Sequence, residues 1–197
     1  MIAILAAVIS LALVPTPVIG THSTHVYLSH TESGGPLGPH VHWSVNGHNQ
    51  AYFGLVDMTG PNWPVSTTYD EWDDANNLNV DYDSSPGGCG SHCVDAVAFE
   101  FQNSCTSQAG NAHIEADSAN GHMLAGPTRV SFNQKCNDEP EFARRKIVCQ
   151  EVGHITGLDH RPQVSTCMHQ NVAETTQATP DAHDYDALAT HIYDHGN

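Results

Sequence analysis

Basic side chains are scarce in this chain: 6 Lys and Arg stand against 22 Asp and Glu among 197 residues, a formal net charge of −16 at pH 7. A surface of that sign repels nucleic-acid phosphates and anionic lipid headgroups, so neither is an expected partner. Internal repeats and low-complexity tracts are missing, and one domain is the default at this length. Beyond residue 14 no apolar stretch is long enough to cross a bilayer. The stretch before it, Met1 to Val14, is an apolar run closed by Pro15 and Pro17 and followed by Val18-Ile19-Gly20. It reads as a signal-peptide core, although no Lys or Arg precedes it; a retained anchor, the rival reading, would need a longer span without prolines. Removal of residues 1–20 would start the mature chain near Thr21, as a secreted, extracellular protein with no stable membrane association. A polar lead over 21–40 then precedes a single domain over 41–197.

Along that domain, Val41-His42-Trp43-Ser44-Val45 alternates like a half-buried strand. Thr68-Tyr-Asp-Glu71 has the spacing of a capping box, with Tyr69, Trp72 and Ala75 at helical spacing. Val94 to Phe101 alternates again and would place Val97, Phe99 and Phe101 on one face. Gly110 to Asp117 and Thr128 to Asn133 are further strand candidates, joined by the turn-rich Ser118-Ala-Asn-Gly121. A helix is expected from about Glu141 to Thr156, stopped by Gly157, and an amphipathic one from Asp181 to Tyr193. This order predicts an α+β domain with a mixed, mostly buried sheet. Trp43, Trp63 and Trp72 are read as core, and His42, His48 and His183 as solvent-facing.

The chemistry gathers in Gln150-Glu151-Val152-Gly153-His154-Ile155-Thr156-Gly157-Leu158-Asp159-His160, with Met168 eight residues further on. On a helix, positions 150 and 154 lie one turn apart and point the same way, so both can reach one metal ion. Glu151 projects beside them, placed to hold a water without ligating. Gly157 lets the chain leave the helix sharply, and His160 can swing back as a third ligand. A zinc ion (Zn2+) on three protein groups keeps a fourth position for water and lowers its pKa toward about 7. Glu151 would take that water's proton during attack on a peptide carbonyl and return it to the leaving amine.

This stretch is similar to the metzincin zinc-protease pattern H-E-x-x-H-x-x-G-x-x-H, with Gln150 in the place of the first histidine. The step from His160 to Met168 matches the matrixins, the matrix-metalloproteinase type. Cys-Gln-Glu-Val-Gly-His, Gly-Leu-Asp-His and Thr-Cys-Met together resemble bacterial secreted matrixin-like proteins that share the Gln and both cysteines. Gly110-Asn-Ala-His-Ile-Glu-Ala116 resembles the matrixin strand bordering the cleft, and Ala182 to Tyr193 the final matrixin helix. The resemblance implies a metzincin (zincin-like) domain with an active-site helix, a methionine turn at Met168 and a C-terminal helix. It implies a zinc endopeptidase acting on peptide or protein substrates, with Glu151 as general base. His154, His160 and, weakly, Gln150 would be the metal ligands. If the motif helix and the methionine turn stack, Cys149 and Cys167 come together, and Cys105–Cys136 and Cys89–Cys93 remain as pairs. A disulfide framework of this kind suits an exported chain, whereas a zinc–thiolate cluster lacks a second CxxC-type pair.

Gln150 leaves three readings open, because an amide oxygen is a weaker zinc donor than imidazole. Gln150 ligates through its oxygen; or His113, His122 or His169 supplies the third nitrogen; or the site holds no catalytic metal. The last corresponds to a secreted metzincin-fold module that binds or supports and cuts nothing. His169-Gln170 follows Met168 where matrixins have Tyr-Pro, so no catalytic tyrosine is assigned. His92, Asp95, His113 and His122 weakly resemble a second, structural zinc set, but their spacing departs from it.

Overall fold

The computed structural model describes residues 42–45, 50–75, 77–84, 92–115, 122–169, 171 and 173–193. The expected leader, the polar lead and Cys89 lie outside them. Five strands form one sheet in the order β2-β1-β3-β5-β4: β1 (Ala51–Met58), β2 (Leu78–Asp83), β3 (Cys93–Phe99), β4 (Gly110–His113) and β5 (Arg129–Asn133). The β1–β2, β1–β3 and β3–β5 pairs are parallel, and β4 joins β5 antiparallel as an edge strand. Helix α1 (Tyr69–Asp73) lies before β2, α2 (Glu141–Ile155) follows the sheet, and α3 (Ala182–Ala187) runs into a π-helical turn over Leu188–Ile192. This mixed α+β arrangement is the class the sequence indicated, and it is compatible with a metzincin-like domain.

Strand β1 is buried along most of its length because β2 and β3 flank it, and its Ala-Tyr-Phe-Gly-Leu-Val run shows no alternation. A strand buried on both faces reads as a continuous apolar run, and this one went unassigned from sequence. Strand β2 alternates, with Leu78 and Val80 buried and Asn79 exposed.

Helix α2 runs through the middle of the domain. From Lys146 to Ile155 every residue is buried, including Gln150, Glu151 and His154. Three aromatic donors bind carbonyls along its second half. Trp72 Nε1 donates to Cys149 O at 3.0 Å, Trp43 Nε1 to Ile155 O at 2.7 Å, and the Tyr193 hydroxyl to Thr156 O at 2.7 Å. The last two satisfy carbonyls that a helix terminus leaves without intrahelical partners. Gly157, with φ +103°, then ends the helix in a backbone region that side chains with a Cβ rarely adopt.

Three sequence expectations are corrected. Residues 42–45 form only isolated bridges, His42 with His122 and Val45 with Ala51, not a strand. The Thr68 capping box does not form: the Thr68 hydroxyl turns back to Pro64 O at 2.7 Å. His42 is buried, packed edge-on against His122 and Tyr193, not solvent-facing.

Disulfides join Cys105 to Cys136 and Cys149 to Cys167. Cys93 is also disulfide-bonded, and its expected partner lies outside the described residues.

One buried and one half-buried phenol, Tyr193 and Tyr185, make the fold sensitive to alkali. Burial, reinforced by Asp74, Glu71 and Asp184, pushes Tyr185 up to about 12, and burial raises Tyr193 further. A phenol raised in the folded state stabilises fully below its unfolded value of about 10 and loses that contribution as pH climbs through the folded value. Thermal melts from pH 8 to 12 are therefore expected to show Tm falling from about pH 10 upward. Tyr185→Phe flattens part of that fall, and an unchanged profile contradicts it.

Candidate active site

Glycine 157 and helix α2 together assemble the site. The turn after Gly157 returns the Leu158 carbonyl to His154, whose Nδ1 donates to it at 2.9 Å. That bond fixes the tautomer: with the proton on Nδ1, His154 Nε2 carries the ring's lone pair. The same turn brings His160 round until its Nε2 lies 3.0 Å from His154 Nε2, with the rings edge to face at 75°. A backbone bond from His160 N to Asp159 Oδ1 at 2.6 Å holds the loop. Two nitrogens on one tetrahedral zinc, each about 2.0–2.1 Å from it, would sit slightly further apart than this, so a small ring movement admits the ion.

Gln150 is fully buried one turn before His154. Its Nε2 donates to the His169 carbonyl at 2.6 Å, which fixes the amide orientation, since a flip would set oxygen against oxygen. Its Oε1 takes no hydrogen bond. A buried acceptor left alone costs about 1–3 kcal/mol, and a cation is a natural partner for it. The donor set of two imidazole nitrogens and one amide oxygen thus fits a divalent ion.

Glu151 is fully buried, and neither carboxylate oxygen has a hydrogen bond of good geometry. Burial raises its pKa well above the ordinary glutamate value, while the nearby Ala112 amide lowers it by a smaller amount. It packs on β4: a Cβ added to Gly110 would meet Glu151 Oε1 at 2.5 Å and Cγ at 2.6 Å. Gly110→Ala is therefore expected to displace the carboxylate and cut any hydrolysis that depends on it by at least about tenfold, leaving metal stoichiometry unchanged. Parallel metal analysis and peptide-cleavage assays check this, and equal cleavage contradicts it.

Met168 is fully buried beneath the helix, where a Cβ on Gly153 would come within 2.3 Å of its Sδ and 2.6 Å of the Trp72 ring. Only glycine allows that approach. The turn carrying Met168 is held three ways. Cys167 is bridged to Cys149 on α2, Arg161 N donates to Met168 O at 2.8 Å, and Met168 N donates to Thr166 Oγ1 at 3.1 Å. Thr166 donates in turn to Asp184 Oδ2 on α3. Arg161 Nη1 lies 2.7 Å from both Asp181 Oδ1 and Asp184 Oδ1.

Of the other histidines weighed as ligands, His113 Nε2 faces Glu115 Oε1 at 3.3 Å, His122 packs on His42, and His169 Nδ1 meets the backbone of Asn171. Among the described residues no group of three His, Cys, Asp or Glu side chains converges as a metal site. His92, Asp95, His113 and His122 accordingly form no second cluster. What sequence reasoning missed is the supporting shell: Arg161 with Asp181 and Asp184, and the Gln150–His169 bond. Only the Asp181-x-x-Asp184 capping box left a local trace.

No protein-family model matches the chain, and no curated protein matches it. Among solved structures, the chain is similar to myroilysin at 12% identity and a TM-score of 0.48, over 80% of this chain and 92% of that one. A likeness at that level says nothing of chemistry, which here rests on the side chains themselves.

Proposed function

We propose that the chain is a secreted zinc-dependent endopeptidase that hydrolyses peptide bonds at the His154–His160 pair. The observation that carries this reading is the pair itself, Nε2 to Nε2 at 3.0 Å, with a fully buried carboxylate on the same helix that has no ion-pair partner among the described residues. His154, His160 and the Gln150 oxygen would hold zinc, which when bound supplies a Lewis acid that acidifies water and polarises a carbonyl. Glu151 accepts the proton of the attacking water on its carboxylate and passes it to the leaving amine. Strand β4 is an edge strand of the described sheet, and an extended peptide would add beside it as a further strand, near His113. Two disulfides support an oxidising, extracellular setting.

A second reading follows from Gln150, whose bond to the His169 carbonyl ties the helix to the methionine turn without any ion. On that reading the chain is a metzincin-shaped module that cuts nothing. Metal analysis of the purified protein, with casein cleavage by wild type, Glu151→Ala and Gln150→His, separates the two. About one zinc per chain and cleavage lost in Glu151→Ala support the peptidase. Zinc and cleavage only in Gln150→His sink it.

A further inference from the structure

Away from the candidate active site, the other face of the sheet carries a cavity of about 340 Å³. Its position follows from strand alternation. Gly110 faces Glu151 on α2, so Asn111, one residue on, faces away; its partner in the β4–β5 register is Ser131. Arg129 and Ser131 share that face of β5, and Phe99 reaches it from β3. The Phe99 and Phe101 rings lie 5.2 Å apart and tilted, forming an aromatic wall. Gln102 Nε2 donates to Gln108 Oε1 at 3.3 Å at the rim.

Three lining side chains have hydrogen-bonding capacity that the described residues do not use. Ser131 is 2% exposed, yet its hydroxyl has no hydrogen bond there. The Asn111 carboxamide has none either, and Arg129 enters no ion pair, not even with Asp95, its partner in the β3–β5 register. The other five cations all have acceptors: Lys135 with Glu100, Arg144 with Glu139 O, Arg145 with Glu71, Lys146 with Thr175 O, and Arg161 with two aspartates. In a chain with 22 acidic residues, none of them lines this cavity. A hollow lined by guanidinium, amide and hydroxyl donors beside two rings, with no carboxylate in its lining, suits an anion with an apolar body.

The geometry points to a binding site for a small organic carboxylate whose charged end meets Arg129, Asn111 and Ser131 while its apolar body packs on Phe99 and Phe101. The site is independent of the peptidase reading, since it lies across the sheet from α2.

The test uses the full disulfide-bonded chain and benzoate as probe, with benzamide as its uncharged control, followed by calorimetry and by amide shifts in NMR. Benzoate is expected to saturate with shifts centred on Asn111, Arg129 and Ser131, and to bind about tenfold or more tightly than benzamide. Arg129→Gln is expected to lose that tenfold preference with Tm unchanged, because Arg129 is exposed. Absence of saturation, equal binding of the two probes, or full benzoate affinity in Arg129→Gln overturns the site. None of these outcomes touches the peptidase proposal.

Discussion

If the proposed peptidase reading holds, Glu151→Gln is expected to abolish peptide hydrolysis while leaving the fold at least as stable as wild type. The amide matches the carboxylate in shape but cannot take a proton from water, and a positioned general base contributes about 10²- to 10⁴-fold. Stability moves the other way because of where the side chain sits. Glu151 is fully buried with no ion pair, and burial raises its pKa well above the usual range. A carboxyl raised in the folded state is fully favourable below its unfolded value of about 4.3 and loses that contribution as pH climbs toward the folded one. At neutral pH the metal-free fold therefore carries a penalty that glutamine removes. Urea titrations of metal-free wild type and variant at pH 5 and pH 8 should show the variant gaining most at pH 8. Retained cleavage in Glu151→Gln removes Glu151 as base; a loss of stability at pH 8 contradicts its burial as an unpaired acid.

The second large effect is expected at Asp184. Its carboxylate is 0% exposed and binds Arg161 at 2.7 Å, the Thr166 hydroxyl and Asp181 N at 2.9 Å. Removing one partner of a buried pair leaves the other charge poorly compensated, at a cost of about 3–5 kcal/mol. Asp181 stays with Arg161 in Asp184→Ala, which puts the expected loss near the lower end of that range. The damage should reach the site as well, because Thr166 carries the Met168 amide and Arg161 follows His160. Denaturant melts and metal competition together read both effects: Asp184→Ala is expected to unfold earlier and bind zinc more weakly. A melt within about 0.5 kcal/mol of wild type shows the network to be dispensable.

Much of α2 was legible because its signals are local. Apolar residues at helical spacing and the stop at Gly157 act within a few residues, and the expected limits of 141 and 156 lie within one residue of the observed helix. The juxtaposition of His154 and His160 was readable for the same reason: a known turn geometry and six residues of chain leave few places for the second ring. Strand β1 was not legible, since burial on both faces erases alternation. The alternation of β3 was legible, and it put Phe99 with Phe101 on one face, but alternation gives the period and not which side will be buried; Val94 and Ala96 are the buried pair. The Thr68 capping box failed because the hydroxyl has a competing acceptor, Pro64 O, already in reach.

By itself the sequence determined the candidate site's composition: an amide, a carboxylate and two imidazoles set by helical period and one glycine turn, with a methionine and two cysteines to brace them. Only the tertiary structure decided how those groups are used. It aimed the Gln150 amide at a carbonyl 19 residues away, sank Glu151 against Gly110, and let Trp43, 112 residues from Ile155, close the helix end. Short-range backbone sterics fix the first kind of fact, whereas the second depends on which distant surfaces exclude water together, and no local pattern records that choice.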